Sequence, residues 1–341
     1  MSKPLNLLVI AGSVLFFASI VSLFLGAIAI SPLSAAKFFL GDSAGLTGTE
    51  RIIMLELRLP RLITAILVGS SLGVAGVGFQ ALFRNPLADP YIIGASSGAA
   101  LGVTIAIVIG WQATLFGLRT SAIAALLGSL LVVAAVMAIG ALSMRSGSLS
   151  LLLAGVALSS MINSIVSLLM FWNEEKVIVI FAWLMGSLAS NDWQSITSTS
   201  VIALVGLVVI WSLSRPLDAY LLGDVASQSL GLNLTLFRLL LVAGASIATG
   251  AAVSSAGIIG FVGLIAPHMA RWTVGPKHFW LIPMSACYGA MILIAADAIA
   301  RTIVSPTELP VGSITALLGC PFFLGLLLLR SRTSTVLGGS S

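Results

Sequence analysis

Two arginines flank a proline directly before an apolar segment, in the sequence Arg58-Leu-Pro-Arg61. A guanidinium group presents N–H donors in a fixed plane, which suits paired hydrogen bonds to both oxygens of a carboxylate. We expect these two side chains to point outward, where they would either contact carboxylates of another protein or anchor the helix at a membrane surface. Farther along the chain, Asp297 and Arg301 lie one helical turn apart, a spacing that predicts an ion pair.

A second distinctive segment, Arg84-Asn-Pro-Leu-Ala-Asp-Pro90, contains two prolines four residues apart. Proline has no backbone N–H and restricts the residue before it, so this pair excludes a continuous helix and predicts a stiff reversal of the chain. Such a loop at the mouth of a helix forms either a gate or a simple turn.

The longest predicted loop on the inner side covers residues 215–232, and Gly223 and Gly231 divide it into two short helical pieces. Its apolar side chains include Leu217, Leu221, Leu222, Val225 and Leu230. This composition predicts a segment that either lies on the membrane surface or docks into a groove of a cytoplasmic partner.

One predicted helix carries a neutral polar face, with residues at i, i+3, i+4 and i+7: Ser160, Asn163, Ser164 and Ser167. In a bilayer such a face must contact protein or water. It therefore either lines a path for a polar solute or cross-links helices.

Several catalytic and energy-coupling motifs are absent from the sequence. It has no phosphate-binding Gly-x-x-x-x-Gly-Lys-Ser/Thr loop, only two histidines and no cysteine cluster, and no carboxylate stands out near the middle of an apolar segment. These absences argue against ATP hydrolysis, a metal or redox centre and an ion relay within this chain. If the protein pumps a solute, the energy comes from a partner.

The composition requires an apolar solvent around the protein. Of the 341 residues, 59% are hydrophobic and only 8% are charged, and the mean hydropathy is +1.15. A soluble domain has about 25% charged residues. The net charge of +5 comes from scattered basic residues, which argues against nucleic-acid binding. We therefore predict a multi-pass protein of a lipid bilayer.

Ten apolar segments are candidates for membrane-spanning helices, and the first is interpreted as an uncleaved helix rather than a signal peptide. They cover residues 5–30, 62–82, 92–111, 119–143, 149–172, 194–213, 234–255, 257–270, 280–302 and 312–329. The eighth is short and rich in glycine. Ten spans place both termini on one side, and a slight excess of basic residues assigns that side to the cytoplasm.

Small residues recur along single faces of two predicted helices. Gly69, Gly73 and Gly76 align with Gln80 in the second segment, and Gly94, Gly98 and Gly102 align in the third. Such faces predict close helix–helix packing within the membrane.

Several motifs together resemble the FecCD-type permease family over essentially the whole chain. They are Arg58-Leu-Pro-Arg61, the glycines from Gly69 to Gly76, Asn85-Pro-Leu-Ala-Asp-Pro90, the segment from Gly257 to Arg271 and Glu308-Leu-Pro-Val-Gly312. Members of this family are membrane subunits of ABC importers for ferric siderophores, haem and cobalamin. The resemblance implies an all-α type II ABC importer permease of about ten helices, forming one domain over residues 1–341 with a tail from about residue 330.

The resemblance also implies partners and residue roles. It implies a homodimer or a paired heterodimer, a cytoplasmic ABC ATPase dimer that holds ATP and Mg, an extracytoplasmic substrate-binding protein and no cofactor in this chain. Arg58, Arg61 and Arg301 would dock the binding protein, and a cytoplasmic gate would include Asn85, Leu87, Ser148 and Leu149. The coupling segment, at about residues 215–232, would contact the ATPase through Leu217, Leu221, Leu222, Gly223, Asp224 and Leu230.

The resemblance thus implies a permease in the inner membrane of a bacterial cell. It would import an iron complex by ATP-driven alternating access, with Ser160, Asn163, Ser164 and Ser167 lining the path. Ferric siderophore ranks first as substrate, followed by haem and cobalamin and then by oxyanions such as molybdate. The alternatives from other classes are a secondary transporter or channel without an ATPase, and a membrane enzyme.

Overall fold

The protein is described by a computed structural model over residues 3–26, 28, 30–40, 46–115, 117–142, 147–189 and 191–337. The helices are α1 (Lys3–Phe24), α2 (Pro32–Phe39), α3 (Gly48–Ile52), α4 (Leu59–Leu82), α5 (Ala95–Val108), α6 (Thr120–Leu142), α7 (Gly147–Trp172), α8 (Val177–Leu184), α9 (Trp193–Ser212), α10 (Ser214–Tyr220), α11 (Asp224–Ser229), α12 (Leu234–Ala256), α13 (Val262–Val274), α14 (His278–Thr302) and α15 (Val311–Leu337). A π-helical stretch, Ile53–Arg58, joins α3 to α4, and 3-10 turns cover Pro90–Ile93 and Glu174–Lys176. Two short strands, β1 (Thr114–Leu115) and β2 (Leu118–Arg119), pair antiparallel before α6.

Each of the ten predicted spans contains one helix, so the predicted all-α architecture is confirmed. Seven helices in the described part of the chain are long and apolar enough to cross a membrane. They lie in Lys3–Phe24, Gly48–Leu82, Thr120–Gly140, Leu151–Trp172, Trp193–Ser212, Leu234–Ala256 and His278–Thr302. Two shorter apolar helices, Ala95–Val108 and Val311–Gly325, occupy the third and tenth predicted spans.

Three predicted boundaries were wrong. The eighth helix begins at Val262 instead of residue 257, because Gly257 (φ 70°) and Phe261 (φ 68°) have left-handed backbone conformations that interrupt a helix. The first helix ends at Phe24 rather than residue 30. The last helix continues to Leu337 and therefore includes most of the predicted tail.

Helix α4 forms the centre of the bundle, and its glycines explain how closely its neighbours approach. A Cβ atom on Gly69 would lie 2.4 Å from the carbonyl oxygen of Gly289 in α14, and one on Gly76 would lie 1.8 Å from that of Gly263 in α13. These distances leave no room for a side chain. The glycine face predicted from the sequence therefore packs backbone against backbone, as small residues permit in membrane helices.

Close backbone packing at glycines also joins α5 to α6. A Cβ atom on Gly98 would lie 2.3 Å from the carbonyl oxygen of Gly128, and one on Gly102 would lie 2.0 Å from that of Ala124. Helix α12 packs against α4, α6 and α9 and connects this pair to the centre of the bundle. We call the end of the bundle that holds Arg61 and Arg301 the outer end, and the end that holds Arg84 the inner end, following the predicted orientation.

Candidate docking, gating and coupling sites

A buried charge cluster lies at the outer end, where α4, α14 and the loop after α14 meet. Asp297 is 2% exposed and accepts hydrogen bonds from Arg61 Nε at 2.8 Å, and it forms an ion pair with Arg301 Nε at 3.0 Å. Nη1 of Arg61 also donates to both carboxylate oxygens of Glu308, at 2.9 and 2.8 Å. The predicted pairing of Asp297 with Arg301 is confirmed, and Arg61 joins the same carboxylate.

Arg301 and the nearby Arg58 donate hydrogen bonds to the end of α1 and to the residues directly after it. Arg301 donates to the carbonyl oxygens of Leu25 at 3.0 Å and Ser22 at 3.2 Å, and Arg58 donates to those of Leu23 at 2.8 Å and Ile28. The last carbonyl groups of a helix have no partner within the helix. The two guanidinium groups supply those partners and fix the outer end of α1.

A cavity of about 300 Å³ lies beside this cluster, and its lining includes Arg58, Arg61, Arg301, Glu308 and Gly26. The prediction that Arg58 and Arg61 point outward was wrong. Arg58, Arg61 and Arg301 are only 7, 8 and 7% exposed, because their head groups bind carboxylates and carbonyls of the same chain. Their role in docking a binding protein stays a prediction, and this cavity is where a partner could reach them.

The proline-rich segment forms the predicted reversal at the inner end. Arg84 adopts a left-handed conformation (φ 48°) directly after α4, and the Asn85 side chain accepts a hydrogen bond from the Leu87 N–H at 2.9 Å. Asn85 is exposed and Leu87 is partly exposed. The other two predicted gate residues, Ser148 and Leu149, fall in the first turn of α7, and their side chains lie outside the part of the chain that the structure describes.

The same loop continues into the interior and meets the interrupted segment before α13. The Tyr91 hydroxyl donates to the Ile259 carbonyl oxygen at 3.0 Å and accepts from the Ile259 N–H at 3.1 Å. Asp89 supports this turn, since its carboxylate accepts from the Tyr91 N–H at 2.9 Å. Burial raises the pKa of Asp89 to about 6 despite that hydrogen bond.

The predicted coupling segment forms two short helices, α10 and α11, separated at Gly223 (φ 106°), as the sequence predicted. Leu221, Leu222 and Leu230 are exposed, by 44, 67 and 66%. Leu217 is fully buried against the core, so its predicted contact with a partner was wrong. It instead anchors α10 to the bundle.

Asp224 ties this segment to α12 and to the turn that follows α4. Its carboxylate accepts from Arg84 Nη2 at 2.5 Å and from Arg238 Nη2 at 2.7 Å, and both guanidinium groups lie over the ring of Tyr220, at 4.3 and 5.5 Å from its centre. Partial burial alone would raise the pKa of Asp224, but the hydrogen bonds and charges of the two arginines outweigh it and hold that pKa below its usual value. The two ion pairs therefore attach α11 to α12 and to the turn that follows α4.

A second contact joins α10 to α14. One carboxylate oxygen of Asp218 lies 2.6 Å from Nδ1 of His278 and accepts the His278 backbone N–H at 3.1 Å. The coupling segment is thus attached to α4, α12 and α14.

The predicted polar face of α7 is exposed on the surface of the single chain, as Ser160, Asn163, Ser164 and Ser167 all show. Three of these residues donate their hydroxyl groups to the carbonyl oxygen four residues earlier, at 2.9–3.0 Å. The Asn163 amide has no hydrogen-bond partner among the described residues. Among the residues that the structure describes, this face makes no hydrogen bond to another helix.

Sequence reasoning did not assign roles to Glu308, Tyr91, Arg238 or Asp218. The only available signal was their charge or hydroxyl group within an apolar chain, because their partners lie 14 to 247 residues away along the sequence.

Comparison with known proteins agrees with this geometry. The model of the FecCD transport family matches residues 14–330. The chain is 40% identical to the cobalamin import system permease protein of Halobacterium salinarum over 83% of this chain and 75% of that protein. It is 35% identical to the Fe(3+)-citrate import system permease protein of Bacillus subtilis over 97% of both chains.

A solved structure shows the same architecture. It is described as an inward-facing conformation of a metal-chelate type ABC transporter, and it superposes with a TM-score of 0.83 at 31% identity, covering 95% of this chain and 99% of that one. The predicted type II importer fold is therefore confirmed. With its buried arginine cluster, proline-rich inner loop and paired inner helices, the chain is a multi-pass inner-membrane permease that belongs to the FecCD transport family.

Proposed function

We propose that this permease imports a metal chelate, a ferric siderophore in the first place, with the energy of ATP hydrolysed by a separate ATPase dimer. The observation that carries the proposal is the construction of α10 and α11. The turns that end these helices expose Leu221, Leu222 and Leu230. Asp224 and Asp218 nevertheless bind the segment to α12, to α14 and to the turn after α4. The exposed leucines offer a partner protein an apolar surface to bind. Because ion pairs hold this segment to the bundle, a movement of the partner would be transmitted to the membrane helices.

The ion pairs define how the motion would travel. A partner that grips Leu221 and Leu222 and moves on binding ATP would carry Asp224 with it. Through Arg84 that displacement reaches the end of α4 and the loop with Asn85 and Leu87, and through Arg238 it reaches α12. Because bilayer-embedded helices of this type shift as packed units, the inner gate would open and close in step with the ATPase. ATP and Mg would be held by the ATPase alone.

The substrate path would run between two copies of this chain, or between this chain and a paired permease. The polar face of α7 supports this proposal, because its four polar residues are exposed on a helix that also carries exposed Leu153, Phe171 and Trp172. A neutral hydroxyl and amide surface contacts a bulky chelate without binding it so tightly that release becomes slow.

At the outer end, an extracytoplasmic binding protein would deliver the substrate to the cavity lined by Arg58, Arg61 and Arg301. The relatives transport different chelates, as cobalamin and Fe(3+)-citrate illustrate. Ferric siderophore is proposed ahead of haem and cobalamin because several of the relatives are named for iron complexes, among them Fe(3+)-citrate and iron chelatin.

Reconstitution tests the proposal directly. The permease is placed in proteoliposomes with and without its ATPase, and uptake of ⁵⁵Fe-labelled siderophore delivered by the binding protein is measured. We expect uptake only with the ATPase and internal ATP. Uptake driven by a proton or sodium gradient in the absence of the ATPase would overturn the proposal in favour of a secondary transporter. ATP-dependent uptake of haem or cobalamin but not of siderophore would keep the mechanism and change the substrate.

A further inference from the structure

Glu308 is the exposed member of the outer charge cluster. Counting side-chain atoms only, Glu308 is 45% exposed, whereas Arg61 is 10% exposed and Asp297 is 2% exposed. Both Glu308 oxygens bind one nitrogen of Arg61, Nη1, at 2.9 and 2.8 Å. The Glu308 carboxylate thus closes the solvent side of a guanidinium group whose other side is held by a buried aspartate.

The loop that carries Glu308 lies on the surface and has few backbone hydrogen bonds. Residues 303–308, which follow α14, are all exposed. The backbone hydrogen bonds at this end of the loop run from Thr307 N to Val304 O and from Leu309 N to Ala300 O, both 3.0 Å. The carboxylate is therefore carried by an exposed loop and not by a packed face of α4 or α14, so movement of this loop is enough to take it away from Arg61.

The charges around the cavity do not cancel. Arg58, Arg61 and Arg301 contribute three positive charges, since arginine stays protonated in proteins, and Asp297 and Glu308 contribute two negative charges. One positive charge remains with Glu308 in place and two remain without it. Nη2 of Arg61 has no hydrogen-bond partner among the described residues. The cavity therefore favours a further carboxylate and holds a replaceable one.

We infer that Glu308 occupies, in the free permease, the position that an acidic side chain of the binding protein takes when that protein docks. The inference rests on the proposed function, because it names the partner of the outer cavity. Docking is an exchange: the partner's carboxylate binds Arg61, and Glu308 leaves with its loop. Such an internal competitor weakens docking in the resting state and lets the binding protein dissociate after delivery. It also makes movement of the loop a consequence of docking.

Binding measurements test the exchange, because it predicts that removing the Glu308 charge raises the affinity for the binding protein instead of lowering it. The complex of permease and ATPase is placed in nanodiscs, and its affinity for the purified, substrate-loaded binding protein is measured by biolayer interferometry. Glu308→Gln removes the competitor's charge, and we expect it to tighten binding roughly twofold to tenfold, the range of single partly exposed ion pairs. Glu56→Gln is the matched control, because Glu56 is an exposed glutamate at the same end of the bundle without an arginine partner among the described residues.

A second measurement follows the movement of the loop in a permease that keeps Glu308. A spin label at Thr307→Cys, in a background with Cys287 and Cys320 replaced by alanine, is expected to become more mobile when the binding protein docks. A label at Thr302→Cys, at the end of α14, is the control and should keep its spectrum.

Three results would overturn the inference. One is weaker binding of Glu308→Gln, which would mean that Glu308 positions Arg61 for docking. Another is equal tightening by Glu308→Gln and Glu56→Gln, which would show only a change of surface charge. The third is an unchanged spectrum at Thr307 on docking. If the unaltered permease does not bind the binding protein at all, the proposed docking function fails, and the inference fails with it.

Discussion

The side-chain hydroxyl of Tyr91 binds both backbone groups of Ile259, at 3.0 Å to the carbonyl oxygen and 3.1 Å to the amide nitrogen. Ile259 is 1% exposed and lies in the non-helical segment between α12 and α13, where the backbone cannot satisfy its own polar groups. One phenol thus replaces the hydrogen bonds that a helix would have made, and it connects the proline-rich inner loop to the interrupted span.

Tyr91→Phe should therefore destabilise the protein by about 1–3 kcal/mol, the cost of leaving buried polar groups unpaired. Thermal unfolding in detergent, followed by intrinsic fluorescence, measures the change. Tyr288→Phe is the matched control, since the described part of the chain offers its hydroxyl no hydrogen-bond partner. Equal melting temperatures for the two variants would contradict the role given to Tyr91.

Asp89 predicts a dependence of stability on pH. Its pKa of about 6 in the folded protein exceeds the usual value, so the folded state binds a proton more readily than the unfolded state. This preference stabilises the fold at low pH and is lost as the pH rises through 6. Asp89→Asn keeps the oxygen that accepts from Tyr91 and cannot ionise. We expect the variant to melt like the unaltered protein at about pH 4 and to become more stable than it as the pH rises through 6.

Asp192→Asn is the control with the opposite sign. Hydrogen bonds from the Ser195 hydroxyl and N–H lower the pKa of Asp192, which begins α9. Its charged form stabilises the fold above its usual pKa, and that contribution is lost as the pH falls. The Asn variant should lose stability relative to the unaltered protein at neutral pH. A melting curve of Asp89→Asn that runs parallel to that of the unaltered protein from pH 4 to pH 8 would refute the assignment for Asp89.

The contact of Gly76 with Gly263 predicts a severe packing defect. In Gly76→Ala the new methyl group would meet the Gly263 carbonyl at 1.8 Å, so the backbones of α4 and α13 must separate. We expect a loss of about 3 kcal/mol or more, seen as a low yield of monodisperse protein in size-exclusion chromatography. Gly12→Ala in α1 has open space around it and should be recovered normally; a normal yield of Gly76→Ala would show that the contact is looser than described.

The exposed leucines of the coupling segment predict a loss of assembly without a loss of folding. Leu222→Asp places a charge on a side chain that is 67% exposed and has no core contact to disrupt. We expect at least about a tenfold loss of ATPase copurification, as for a residue at the centre of an interface. Leu40→Asp, on a side chain that is 89% exposed outside the coupling segment, should copurify normally. Normal recovery of the ATPase with Leu222→Asp would exclude this leucine from the interface.

The positions of the spans could be predicted from the sequence because hydropathy and span length depend on local composition. The glycine faces were predicted for the same reason, since Gly69, Gly73 and Gly76 recur at helical spacing. The interruption of the helix at residues 257–261 could not be predicted, because the apolar run Gly257-Ile-Ile-Gly-Phe looks like part of a helix. The Tyr91 hydroxyl that stabilises its non-helical conformation lies 168 residues away along the sequence.

The arginines show the limit of such reasoning more clearly. Charge and spacing identified Arg58, Arg61 and Arg301 as unusual, and the pairing of Arg301 with Asp297 followed from one helical turn. Their burial could not be predicted, because it depends on Glu308 and on the end of α1, which approach only when the helices pack. Leu217 was misassigned for a related reason: composition alone does not tell which side of a short helix faces the core.

Because Arg58 and Arg301 attach the outer end of α1 to the bundle, replacing either residue affects the position of that helix. Each guanidinium reaches two carbonyl groups at once, Leu23 and Ile28 for Arg58, and Leu25 and Ser22 for Arg301. A lysine is a single point charge and cannot reproduce that fork. With both arginines replaced by lysine, helix α1, which is largely exposed, would lose these paired hydrogen bonds to the rest of the bundle. Arg58 and Arg301 thus fix the outer end of α1, and a variant that releases this end would change the outer surface of the permease even when no partner protein is present.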